Sequence, residues 1–117
     1  MIVVDDDPSM RRALRMQLRL AGFNVVVFES AQKLLDNEFP TTNACLLLDI
    51  YMPGMNGDEL CGNLSAAGKR LPTVLMSAHE DNMTRRVMKD ANAVASLFKP
   101  FDEKTLLRAI ARALGNH

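Results

Sequence analysis

Two hydrophobic periodicities alternate from one end of the chain to the other, and this alternation constrains the fold more than any other feature. Short β-branched or apolar runs fall at residues 2–4, 25–28, 44–48, 73–76 and 94–98. Four of them carry no polar alternation, and only Ser96 interrupts the fifth. An apolar run without a period of two suits a strand buried on both faces, as in a parallel sheet.

Helix-length segments separate the runs. Met10, Ala13, Leu14, Leu18 and Ala21 follow helical spacing, with Asp7 placed to cap, Pro8 at the first helical position and Gly22 to close. Ser30 can cap a second, shorter helix to about residue 38, and a third is expected over about 58–67, stopped by Gly68. The fourth, over 81–91, is the least periodic. The fifth starts from Asp102 as cap, buries Leu106, Leu107, Ile110 and Leu114, and ends at Gly115. Five β–α units joined by right-handed crossovers give an α/β fold with helices on both faces of one parallel sheet. The 117 residues amount to one domain, 1–117, with no repeat, linker or low-complexity segment.

Composition removes several classes of function. Lys plus Arg and Asp plus Glu number 14 each, so no net field draws the chain to nucleic acid or a membrane. The longest apolar run, 44–48, is far too short to span a bilayer, and the acids from Asp5 onward do not fit a secretory signal. Cys45 and Cys61 show neither metal spacing nor a disulfide framework. The expectation is a soluble, cytoplasmic protein.

In a doubly wound sheet, ligands gather at the carboxyl ends of the strands. Asp5, Asp6 and Asp7 follow the first run, Asp49 the third, Ser77 the fourth and Lys99 the fifth, while the second ends at Phe28 and Glu29 with no evident chemistry. Two carboxylates ~5 Å apart repel by roughly 3 kcal/mol at an effective dielectric of ~20, so Asp5, Asp6 and Asp49 together carry repulsion on the order of 10 kcal/mol. Such a cluster protonates or takes up a cation. An all-oxygen donor set suits Mg²⁺ better than zinc, and Mg²⁺ with Lys99 brings the formal charge to zero. A neutralised carboxylate beside a metal is a credible nucleophile toward phosphorus.

Each of these residues also has a plainer reading. Asp7 before Pro8 is better explained as a helix cap than as a ligand. Asp5 can be a polar strand end, Ser77 a turn residue, and Lys99 a chain that reaches solvent. Asp49 is harder to explain structurally, since it follows Leu46-Leu47-Leu48 with no evident helix to cap. Arg11, Arg15 and Arg19 share one helical face with Arg12 beside them. In a neutral chain they read as a solvated face or a kinase-docking surface rather than a nucleic-acid stripe. Met52, Met55 and Met76 read as packing.

Taken in order, the motifs resemble the response-regulator receiver family, which includes the bacterial chemotaxis regulator. Ile2-Val3-Val4-Asp5-Asp6-Asp7 looks like that family's first strand and acidic pair. Leu48-Asp49-Ile50-Tyr51-Met52-Pro53-Gly54-Met55-Asn56-Gly57 resembles its phosphoacceptor strand and loop. Met76-Ser77-Ala78 resembles the hydroxyl-bearing strand, and Lys99-Pro100-Phe101 the lysine–proline signature. The resemblance covers nearly the whole chain. It implies a flavodoxin-like sheet of order 2-1-3-4-5. It also implies that Asp49 accepts a phosphoryl group from a sensor histidine kinase or phosphotransfer protein in a Mg²⁺-dependent reaction, and that the domain then switches its interaction surface. By the same resemblance, Asp6, Asp49 and the carbonyl of Tyr51 hold Mg²⁺ with Asp5 acting through water, and Lys99 and Ser77 bind the phosphoryl oxygens. The Lys99–Pro100 bond is expected to be cis, and Gly57 to give the loop backbone freedom. An output domain or self-dimer is a further implied partner, with no direct contact to nucleic acid or membrane.

The chain departs from the family pattern at four places. Ser96 stands where a Tyr or Phe rotamer switch is usual, and Asn92 where a glycine is common before the fifth strand. Tyr51 and His79 stand two residues after the acceptor and the hydroxyl, so they are expected to flank the path of water to the phosphorylated residue. Two rival readings remain. One is a small aspartyl phosphohydrolase, for which Asp5-Asp6-Asp7 supplies an Asp-x-Asp spacing but which leaves Asp49 and Lys99 unexplained. The other is a degenerate receiver used only for docking, against which all five chemical positions are present.

Overall fold

Five short strands pair in parallel in the computed structural model, which describes every residue except Pro53, Met55, Asn56, Asn92, Asn116 and His117. They are β1 (Ile2–Val4), β2 (Val26–Phe28), β3 (Leu46–Asp49), β4 (Thr73–Ser77) and β5 (Ala95–Phe98), in the order β2-β1-β3-β4-β5. The helices between and after them are α1 (Pro8–Leu20), α2 (Ala31–Leu35), α3 (Gly57–Ala66), α4 (Asn82–Asp90) and α5 (Glu103–Ala113).

Both faces of the sheet are apolar because successive side chains of a strand point to opposite sides. Val3, Leu47, Val74, Met76 and Leu97 pack with Leu14 and Leu18 of α1 and Leu106 and Ile110 of α5. Ile2, Val4, Leu46, Leu48 and Leu75 pack with Leu34 of α2, Leu60 of α3 and Met88 of α4. Burial on both faces holds for β1, β3 and β4 but not for the edges. Val26 of β2 is 40% exposed and Ser96 of β5 is exposed, because an edge strand lacks a neighbour and meets only part of a helix on each side.

The caps follow the side chains expected of them. Asp7, Ser30 and Asp102 accept from the N–H groups of Ser9, Lys33 and Thr105. Gly22, Gly68 and Gly115 all have positive φ after their helices. The second helix stops at Leu35, three residues short of the expected end, with the Asn37 amide turned back to the carbonyl of Lys33. Gly57 begins α3, and Asn92, Pro53, Met55 and Asn56 lie outside the described residues. Met52 and Met76 are core residues. Neither Cys45 nor Cys61 is in a disulfide, and burial pushes the Cys45 thiol up to about 12, where it is inert.

Candidate functional site

The carboxyl edges of β1, β3 and β5 meet at one group of charged side chains. In parallel register Val4 lies beside Leu48 and Ser77 beside Phe98, so the next residues of each strand emerge together. Asp5, Asp6 and Asp49 each present a carboxylate oxygen, and these oxygens lie within 4.8 Å of one another. Asp6 is exposed, whereas Asp5 is fully buried and Asp49 is 7% exposed.

Each buried acid is held from two sides. Asp5 accepts the Lys99 ammonium at 2.7 Å on one oxygen and the Asp7 N–H at 3.0 Å on the other. Asp49 lies 3.5 Å from the same ammonium and accepts the Tyr51 N–H at 3.3 Å. Lys99 therefore bridges the two, closer to Asp5, and its own N–H donates to the carbonyl of Ser77 at 2.7 Å. The Lys99–Pro100 bond is cis, as expected. Ser77, wholly buried at the end of β4, accepts the His79 N–H at 3.0 Å on its hydroxyl. Asp7 is a cap and not part of the charge cluster.

The electrostatics follow from burial and crowding. Desolvation first, then the Asp5 and Asp6 charges, push the Asp49 carboxyl up to about 6 against the pull of Lys99 and the Tyr51 N–H. For Lys99, desolvation works to lower its value, but the Asp5 hydrogen bond and the Asp49 and Asp5 charges outweigh it, and the ammonium is held above its ordinary range. The lysine is a fixed cation. The acids still exceed it by two charges, so a hard divalent cation bound by oxygen fits this donor set, as Mg²⁺ does.

Two residues beyond Asp49 and Ser77 lie the rings of a second, largely neutral flank. The Tyr51 and His79 rings meet edge to face, with centroids 5.2 Å apart and planes at 88°. The Tyr51 hydroxyl lies 2.8 Å from Oγ1 of Thr84, in the first turn of α4. Sequence reasoning overlooked two contributors. Thr84 gives no signal at all as a weak helix former. Arg11 reads as part of a solvated stripe, yet its Nη1 donates to the carbonyl of Asp5 at 2.7 Å and braces the first acid from α1. The Phe98 ring, of the same strand parity as Ser96, lies beneath the Arg85 guanidinium at 5.1 Å.

The family model described as the response regulator receiver domain matches residues 1–111. Nodulation protein W of Bradyrhizobium diazoefficiens is 39% identical over 112 residues, covering 95% of this chain and 49% of its own length. The transcriptional regulatory protein FixJ of Azorhizobium caulinodans is 33% identical over 113 residues, covering 97% and 54%. Among solved structures, response regulator StyR superposes with a TM-score of 0.86 at 47% identity, covering 97% of this chain and 58% of that one. The chain spans about half the length of the curated relatives it matches. Among the described residues, no helix is long and apolar enough to cross a membrane.

Proposed function

Because the chain belongs to the response regulator receiver family, we propose that Asp49 is its phosphoacceptor and that residues 1–117 form one receiver domain. Response regulators partner with histidine kinases, and the donor here is accordingly a sensor histidine kinase or a phosphotransfer protein, met in the cytoplasm. The observation that carries the assignment is the position of Asp49. It is a buried acid at the end of a central strand, within 4.8 Å of two further carboxylates and 3.5 Å from a fixed ammonium.

The transfer forms a bond from an Asp49 carboxylate oxygen to phosphorus and breaks the bond from phosphorus to the donor's histidine nitrogen, which leaves with the electron pair. Asp49 has to be ionised to attack, and with its carboxyl pushed up to about 6 it is so at neutral pH while staying more basic than an ordinary aspartate. Lys99 and Ser77 receive the phosphoryl oxygens, which draws Lys99 away from its present partner Asp5. Asp6, Asp49 and the Tyr51 carbonyl, with Asp5 contributing through water, would hold Mg²⁺, which when bound would supply positive charge to offset that of the phosphoryl group. Tyr51 and His79 flank the path by which water later reaches phosphorus. An output domain in the same protein, or a second copy, then reads the changed surface.

Intact-mass measurement with acetyl phosphate and Mg²⁺ tests this. The parent should gain one phosphoryl mass that hydroxylamine removes, and Asp49→Asn should gain none. A hydroxylamine-labile label retained at Asp5 or Asp7 in Asp49→Asn would move the assignment to the phosphohydrolase reading.

A further inference from the structure

Thr84 is a fully buried hydroxyl in a turn where packing alone would take an apolar residue. A buried hydroxyl costs stability unless it is partnered, and this one lies 2.8 Å from the Tyr51 hydroxyl. The Thr84 N–H donates to the Asp81 carboxylate at 2.8 Å, and the Thr84 backbone and side chain together hold that carboxyl below the usual aspartate range. Across the 2.8 Å contact either hydroxyl can donate, and the contact joins the Tyr51 ring to the first turn of α4.

Tyr51 is otherwise lightly held. Its ring is 37% exposed and touches His79 edge to face, while its backbone N–H is tied to Asp49. Without an anchor on the hydroxyl, the two side-chain torsions of a tyrosine at this exposure would sample solvent. We infer that Thr84 is the positioning residue for Tyr51: it holds the ring against His79, beside the approach to Asp49, and so sets how fast the phosphoryl group is lost to water. The inference rests on the reading of Asp49 as phosphoacceptor. In that loss, a water oxygen bonds to phosphorus, the bond to the Asp49 oxygen breaks, and inorganic phosphate leaves with the proton passing to it or to solvent. Thr84 touches none of these atoms and acts only through the ring.

The test is the decay of phosphorylated protein, loaded with acetyl phosphate and Mg²⁺ and then freed of donor, in Thr84→Val, Tyr51→Phe, their double variant and Thr84→Ser. A net hydrogen bond of ~1 kcal/mol corresponds to about a fivefold change in rate, so each of the first two should lose phosphate about threefold to fivefold faster. The double variant should be no faster than either single one, and Thr84→Ser should stay within about twofold of the parent by keeping the hydroxyl. An unchanged Tyr51→Phe rate, or single effects that multiply in the double variant, would overturn the inference. If Thr84→Val fails to fold, Tyr51→Phe decides by itself. A second readout needs no phosphate: the chain has one tyrosine and no tryptophan, so the tyrosine band of its near-ultraviolet circular dichroism reports Tyr51. That band should weaken in Thr84→Val and persist in Thr84→Ser. A parent that takes up no phosphate removes the reading of Asp49, whereas a band unchanged in Thr84→Val removes the anchor.

Discussion

The two flanks of Asp49 are built on different physics. On one side, Asp5, Asp6 and Lys99 form a charged cluster whose two inner members are nearly or wholly buried, with Arg11 bracing Asp5 through its carbonyl. On the other, Tyr51, His79 and Thr84 form a largely neutral arrangement of rings and one hydroxyl at the rim, half open to solvent. Charge acts over several ångströms and in low dielectric costs kilocalories, so on the proposed reading of Asp49 the first flank would decide whether the chemistry occurs at all. The second works through single contacts of about 1 kcal/mol, which is the scale on which a lifetime is adjusted. On that reading the site would separate competence from timing, and substitutions on the two sides should differ in magnitude.

The largest effect belongs to the charged flank. Asp6→Ala should weaken Mg²⁺ binding on the order of 100-fold, ~3 kcal/mol, because it removes one of three carboxylates that converge within 4.8 Å. Titration calorimetry returning the parental affinity would erase the contrast between the flanks. Binding should also weaken as pH falls through about 6, since a proton on Asp49 competes with the metal.

The next effect appears in the metal-free protein. The Asp49 carboxyl is raised in the folded state to about 6 from the ordinary 3.8, so the folded protein holds more proton between these values. Stability from this group is full below pH ~4 and lost as pH rises through about 6, leaving a penalty at neutral pH. Asp49→Asn removes that penalty. Allowing for its 10% exposed side chain, we expect a gain on the order of 1–2 kcal/mol at pH 7.5 that vanishes near pH 4. Equal denaturation midpoints at both pH values would mean the crowding is already relaxed by water.

On the neutral flank, Tyr51→Asn should shorten the phosphorylated half-life several-fold, about 1 kcal/mol in barrier. A ring at the approach to phosphorus is a larger obstacle than an amide, which can also orient water. If His79 acts instead as a general base, phosphate loss will accelerate as pH rises and Tyr51→Asn will change little. The pH profile of the decay in His79→Ala separates shielding from base catalysis.

The charged flank was legible in the sequence and the neutral flank only in part, for the same physical reason. An acid that ends an apolar run, such as Asp49 after Leu48, carries its own evidence, because burying a charge needs a partner nearby. Strand alternation then brings Asp5 and Lys99 to it. The fold was legible on similar grounds, down to caps such as Asp7 and Asp102. What the pattern does not encode is exposure at the edges. Val26 lies in a run as apolar as that of β3, yet it is 40% exposed because β2 has a neighbour on one side only. Nor does it encode the reach of a side chain across a cleft. Tyr51 and Thr84 are 33 residues apart and are joined by tertiary placement alone, and Arg11 bends back to a carbonyl six residues earlier.

The smallest effect concerns how the two flanks report to α4. With Ser96 exposed on β5, no ring stands at the position where the family usually carries its switch. Phe98, two residues along and of the same strand parity, is the candidate we propose in its place, and its surroundings favour that role. The ring is partly buried against the α4 side of the core and lies 5.1 Å beneath the Arg85 guanidinium, which is itself paired with Glu80 of the β4–α4 loop at 3.7 Å. Movement of that loop when Ser77 turns to a phosphoryl group would therefore reach Arg85 and shift its seat on the ring. An exposed cation–π contact is worth only ~0.5–1 kcal/mol, so the contribution is a bias on α4 and not a lock. Amide shifts with and without beryllofluoride, a mimic of the phosphoryl group, make the comparison. In Phe98→Ala the changes along α4 should shrink while those at Asp49 and Lys99 persist. Full-sized changes across α4 and α5 in that variant would exclude Phe98 and favour the Tyr51–Thr84 contact as a route from the site to α4.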